Sequence, residues 1–217
     1  MLKLKFGTDP RRPTRLLCIG AHSDDLEIGC GGTIITWLET FPNVDVTWVV
    51  LSADALREKE ARKSAAALLR KARQSDVVVG GFRDGFLPAQ YSEAKEFFER
   101  VKARVDPDIV LTHSLEDRHQ DHRLAAELTW NTWRNHAVLE YEIAKYEGDL
   151  QPTNLFIEIS QARVRRKIAH LMRHFATQHD KSWFSQETFL ALMRLRGLEC
   201  KAASGHAEAF HARKLML

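Results

Sequence analysis

The sequence predicts an α/β fold, a mostly parallel sheet covered by helices on both faces. Three observations carry this. Short continuous apolar runs such as RLLCIG (15–20) and DIVLT (108–112) lack the alternation of a strand with one wet face, so they read as strands buried on both sides. Between them lie segments with apolar residues at helical spacing. Strand-like and helix-like segments then alternate for most of the 217 residues, with no repeat and no convincing linker. At roughly 150 residues per domain the chain is one domain rather than two, covering residues 1–217 with a C-terminal extension from about 180.

In chain order, GTDPRRPT (7–14) is a loop, since two prolines and a glycine interrupt it. Arg15 to Gly20 is the first strand. Residues 31–40 can form a helix that Pro42 stops, and VDVTWVVL (44–51), rich in β-branched residues, is the second strand. In 56–72, Leu56, Ala61, Ala65, Leu68 and Leu69 share one helical face. Val77 to Val79 is a short strand, followed by GGFRDG as a glycine loop. Residues 92–105 put Phe97, Phe98, Val101 and Val105 at helical spacing, and Pro107 marks the exit. After the strand 108–112 a helix runs from about 122 to 135, with Trp130 and Trp133 as core candidates. AVLEYEI and NLFIEI read as strands, and Ile168, Leu171, Met172 and Phe175 mark a further helix. The run Arg163, Arg165, Arg166, Lys167 reads as a solvated helix face. The last thirty residues fit no element.

Composition narrows the function classes. With 44% hydrophobic and 28% charged residues the chain is an ordinary globular one, which excludes disordered and collagen-like classes. Lys+Arg 32 against Asp+Glu 29 gives +3, too balanced for a nucleic-acid binder. Three widely spaced cysteines (Cys18, Cys30, Cys200) form no thiolate metal motif and point to a reducing compartment. No apolar run approaches the ~20 residues that span a bilayer, and the N-terminus lacks a signal-peptide core. The expected location is cytoplasmic; oligomeric state is not encoded legibly.

Ligands of α/β sheets bind outside the carboxyl ends of the strands. Two loops at such ends are dense in metal-binding groups. AHSDDLEIGCGG (21–32) holds His22, Asp24, Asp25 and Glu27; HSLEDRHQDHR (113–123) holds His113, Glu116, Asp117, His119, Asp121 and His122. A catalytic zinc site takes three protein ligands and keeps one position open. His22 and Asp25, three residues apart in a tight turn, supply two and His122 the third, which leaves Asp24 as a base. His119 and Asp121 remain for polarising, orienting or proton-transfer roles. The competing structural reading makes Asp24, Asp25 and Glu27 helix caps. GCGG (29–32) lacks phosphate-loop spacing and reads as close backbone packing.

These residues resemble a known family. AHSDDLEIGCGG is similar to the A-H-P-D-D-x-E-x-G-x-G-G signature of the PIG-L/LmbE-like deacetylases, and HQDH to their H-x-D-H motif. LREKEARKSAAALL (56–69), DGFL (84–87), KIAHLMRHFATQ (167–178) and RGLECKAASGHAEAF (196–210) extend the resemblance over most of the chain. It implies a Rossmann-like fold and a zinc-dependent hydrolase that removes the acetyl group from N-acetylglucosamine-type sugars or glycoconjugates. It implies His22, Asp25 and His122 as ligands of one zinc ion and Asp24 as general base. His119 would stabilise the oxyanion or protonate the leaving amine, with Asp121 orienting a histidine. Arg57, Asp84, His206 and Glu208 would line the substrate pocket. Ser23 and Gln120 stand where the family's motifs carry proline. Fe²⁺ or Co²⁺ would also suit the donors. Trp183 is a candidate for stacking on a sugar ring, while His136, His170, His179 and His211 read as surface or packing residues. Two other classes stay open on the residues: a two-metal phosphoesterase, and a non-catalytic nucleotide-binding domain.

Overall fold

The computed structural model describes residues 11–41 and 43–215. Residues 7–10 of the 7–14 loop and Pro42, the expected helix stop, lie outside the described residues. A seven-stranded sheet runs in the order β3-β2-β1-β4-β5-β7-β6. Its strands are β1 (Thr14–Gly20), β2 (Val44–Ser52), β3 (Gln74–Phe82), β4 (Ile109–His113), β5 (Ala137–Tyr141), β6 (Leu155–Glu158) and β7 (Ala207–Ala212). The first five are parallel to one another, whereas β7 is antiparallel to both β5 and β6. The helices are α1 (Asp25–Thr40), α2 (Ala55–Leu68), α3 (Tyr91–Lys102), α4 (Gln120–Thr132), α5 (Gln161–His174) and α6 (Gln186–Glu199), so the fold class is the α/β arrangement expected.

Burial on both faces explains the continuous apolar strands. Leu16 and Cys18 of β1 face a core shared with α1, α2, α5 and α6. Leu17 and Ile19, one residue out of phase, face a second core with α3 and α4, into which Trp133 is sunk. Each such side chain withdrawn from water contributes about 2 kcal/mol, so a one-residue slip of register would exchange the two cores.

Three expectations are corrected. GGFRDG does not begin as a loop: β3 continues through Gly80 and Gly81 to Phe82, past an irregularity opposite Val50 and Ser52. Gly81, at φ 71°, takes the left-handed backbone this irregularity needs. The helix expected over 56–72 ends at Leu68. Lys167 is not on a solvated face; it is buried, while Arg163 and Arg166 bind Glu39 at the surface. The segment from about 180 supplies α6 and β7, and β7 lies inside the sheet, between β5 and β6.

Candidate active site and metal centre

β1 sits between β2 and β4, where the sheet order reverses direction, and the crevice beyond its carboxyl end is the expected ligand position. The turn 21–24 leaves β1 there and is tied to β2 by Ser52 N–H donating to the Ala21 carbonyl at 2.7 Å. The β4–α4 loop, 114–119, lies alongside.

The expected ligand set converges. His22 Nδ1 lies 3.0 Å from His122 Nε2 and 3.3 Å from an Asp25 oxygen, and His122 Nε2 lies 3.5 Å from the other Asp25 oxygen. Donors bound at about 2.0–2.1 Å to a tetrahedral metal are separated by roughly 3.3 Å, so the two ring nitrogens sit near such a spacing, each facing a different Asp25 oxygen. His22 and His122 also group with His119, and Asp25 and His122 with His113, as donor sets within 4.8 Å that could hold a metal. The side chains of His22, Asp25 and His122 are buried. The cap reading fails for Asp24, which precedes α1 but makes no side-chain cap hydrogen bond. Its Oδ1 accepts from Arg57 at 3.2 Å, while its buried Oδ2 has no partner. An unpartnered buried carboxylate oxygen is costly and is the atom a base would present.

Electrostatics sort these groups. Burial and the Asp25 charge raise the Asp24 carboxyl, against the pull of Arg57. Asp25 is held well below the usual range: burial opposes this, and His122, His113 and His22 outweigh it. Burial, reinforced by His113, pushes His122 down to about 3, which keeps its ring neutral. Burial also opposes charge on His22, yet Asp25, Asp121 and Asp84 lift it well above its ordinary value. His119 is lowered by burial and by His22. It caps α4, its Nδ1 accepting the Asp121 N–H at 3.3 Å, so Nε2 carries the proton of a neutral ring.

Asp121 is fully buried. One oxygen lies 3.3 Å from His22 Nε2 and accepts from Gly85 N–H at 2.7 Å; the other accepts from Leu87 N–H at 3.1 Å. Asp84 brings its Oδ1 to 3.1 Å from His22 Nε2 and its Oδ2 to 2.6 Å from Arg57. Arg57 also donates from Nε to Ser23 Oγ at 3.0 Å. Arg57 and Asp84 therefore join the cluster. His206 and Glu208 do not. His206 bonds within its own turn, to Ser204. Glu208 accepts from Lys167 at 2.6 Å and from the α1 amides of Gly32 and Thr33 at 2.8 and 2.6 Å. Lys167 in turn donates to the Ile28 carbonyl. This ion pair thus enters the hydrogen-bond ladder of α1. Trp183 packs beside Phe184 at the edge of the α5 and α6 core.

Two residues at the end of β4 and in the loop after it matter more than their sequence placement suggests. Asp117 accepts from His122 Nδ1 at 3.0 Å and pairs with Lys145 at 3.0 Å. A ligand histidine ordinarily gives its second N–H to such a carboxylate, and that rule, applied to His122, was the available signal. His113, the last residue of β4, stacks on His122 with centroids 4.0 Å apart and reaches Asp25 at 3.1 Å. Gly29 and Gly32 of GCGG serve packing, as expected, whereas Gly31 has ordinary room for a Cβ. A Cβ on Gly29 would lie 2.8 Å from Tyr141 Cγ, and one on Gly32 2.9 Å from Glu208.

The family profile described as PIG-L: GlcNAc-PI de-N-acetylase matches residues 17–133, over half of the chain. The chain belongs to the PIG-L family. Among solved structures, this PIG-L family chain is similar to three proteins of low identity. A conserved protein of Thermus thermophilus is 21% identical, with a TM-score of 0.69 over 93% of this chain and 95% of that one. The N,N'-diacetylchitobiose deacetylase of Pyrococcus horikoshii is 19% identical, at 0.68 over 93% and 84%. GalB, the 4-carboxy-2-hydroxymuconate hydratase of Pseudomonas putida, is 20% identical, at 0.72 over 94% and 98%. A deacetylase and a hydratase share this fold, so the fold alone does not select the reaction. Among the described residues no helix is long and apolar enough to cross a membrane.

Proposed function

We propose that this PIG-L family chain is a metal-dependent hydrolase that removes the N-acetyl group from an N-acetylglucosamine-type sugar or glycoconjugate. The observation that carries the reading is the approach of His22 and His122 to each other and to the Asp25 carboxylate at 3.0–3.5 Å, beside the unpartnered Asp24 oxygen. Family membership and the deacetylase among the similar structures support the amide as the bond cleaved. Small N-acetylated sugars are the proposed partners, and a reducing cytoplasm suits the free cysteines.

His22, Asp25 and His122 would hold one zinc ion, or Fe²⁺ or Co²⁺. The metal, when bound, supplies Lewis acidity and makes water acidic near neutral pH. Asp24, carrying no hydrogen bond on Oδ2, accepts the proton of the attacking water, and that proton goes to the amine nitrogen as the C–N bond breaks. Arg57 fixes the other Asp24 oxygen, so the free one keeps a single orientation. His119, a neutral ring with its proton on Nε2, donates to the oxygen on which negative charge develops, an effect typically worth about 3–4 kcal/mol. Asp121 holds His22 in place and ties the 84–87 segment to the site.

The test measures metal per chain and acetate released from N-acetylglucosamine derivatives, for wild type and Asp24→Ala. One metal in both proteins, with acetate released by the wild type alone, is the expected result. Two metals per chain would favour a phosphoesterase. One metal with no acetate from any N-acetylated sugar would remove the deacetylase reading and bring the hydratase chemistry forward.

A further inference from the structure

Segment 84–87 forms a wall of the site, and it is held by polar contacts rather than by burial. The Asp84 side chain is 52% exposed, Phe86 is exposed, and only Leu87 enters the core. Gly85 adopts φ 77°, with nothing within 4 Å of where a Cβ would sit. Asp121 takes the Gly85 and Leu87 amides. Asp84 also meets His22 Nε2 at 3.1 Å, and two further ties lead back to the two positions where this chain lacks the family's proline. Ser23 Oγ accepts from Arg57 Nε at 3.0 Å, and the same guanidinium reaches Asp84 at 2.6 Å. Gln120 Nε2 donates to the Gly85 carbonyl at 3.2 Å. Proline offers neither a hydroxyl nor an amide, so it could make neither contact.

We infer that Ser23 and Gln120 are positioning residues that clamp the Asp84–Gly85 segment against the site, Ser23 through Arg57 and Gln120 directly. An ion pair as exposed as Arg57–Asp84 fixes little by itself. Three donors of one guanidinium spread over Ser23, Asp24 and Asp84 fix the plane of that group. The segment then inherits that order. The kinetic part of the inference rests on the deacetylase reading; the structural part does not.

Amide hydrogen exchange separates the two. Wild type, Ser23→Ala, Gln120→Ala, the double variant and Ser23→Thr are compared over residues 83–90, alongside KM and kcat on an N-acetylglucosamine derivative. Each alanine variant should speed exchange at Gly85 and Leu87 by about twofold to tenfold, the range of one hydrogen bond, with the rest of the chain unchanged. Ser23→Thr, which keeps the hydroxyl, should restore wild-type protection. Gln120→Ala should raise KM by a similar factor and leave kcat within about twofold. Unchanged exchange at 83–90, or faster exchange spread evenly over the chain, would overturn the clamp. A wild type that releases no acetate would overturn the proposed function while the exchange data still decide the clamp.

Discussion

Glu208→Gln separates a structural from a substrate-lining role for this residue. Glu208 is buried and its two oxygens take three donors: Lys167 Nζ and Gly32 N–H on one, Thr33 N–H on the other. Glutamine keeps one acceptor oxygen but points an NH₂ at a remaining donor, and it leaves the Lys167 ammonium without a counter-charge. Removing one partner of a buried pair costs about 3–5 kcal/mol. For a chain of this length each kcal/mol lowers Tm by about 2–4 °C, so a drop of about 6–20 °C is expected in a thermal melt. Lys167→Met combined with Glu208→Gln removes the stranded charge and should recover part of the loss. KM on an acetylated sugar should change little at temperatures where the variant is folded. A variant with wild-type Tm and a KM raised tenfold would refute this reasoning and put Glu208 in the substrate pocket.

Further outcomes follow from the same contacts. Asp117→Asn withdraws the carboxylate from His122 Nδ1 and should weaken metal binding about 10- to 100-fold, measured by competition with a chromogenic chelator. Gly29→Ala drives a Cβ into Tyr141, whose ring supports His113 at 4.8 Å; urea melts should show a loss of about 1–3 kcal/mol, with metal affinity lowered as well. His170, next to Ser64 at 2.8 Å, is depressed to about 4 from 6.5, chiefly by burial and then by His174. The unfolded chain therefore binds the extra proton between these values, and stability should fall as pH drops from 6.5 to 4. His170→Asn should flatten that slope in urea melts taken across the range. Dialysis against a chelator should abolish acetate release, and adding Zn²⁺, Fe²⁺ or Co²⁺ should restore it.

Much of the fold is legible because burial leaves a mark on composition. β1 and β4 have both faces covered, so RLLCIG and DIVLT carry no polar alternation. β7 leaves no such mark. AEAFHA is rich in alanine, a weak strand former, and it becomes a strand by pairing with β5 and β6. The charge of Lys167 misleads for a related reason: its partner Glu208 stands 41 residues away, and local pattern carries no information about it. Within the site, the proposed ligands are legible because they crowd the loops and first helical turns that follow two strands. Asp117 stands in the loop that follows His113, but their roles depend on which ring nitrogen and which ring face they meet. That is a property of the packed state.

The position of β7 has a consequence for how the molecule is made. It is the last strand of the described chain, yet β6, formed some fifty residues earlier, can join the sheet only through it. During synthesis β1 to β5 can assemble on the ribosome, while β6 must wait with its edge unpaired for the C-terminal residues to emerge. At about 5–20 residues per second this waiting lasts seconds. The same late strand delivers Glu208 to α1, the helix whose first turn carries Asp25. A nascent chain stalled before residue 207 should therefore be open to protease over β6 and α1, and become resistant once β7 has docked.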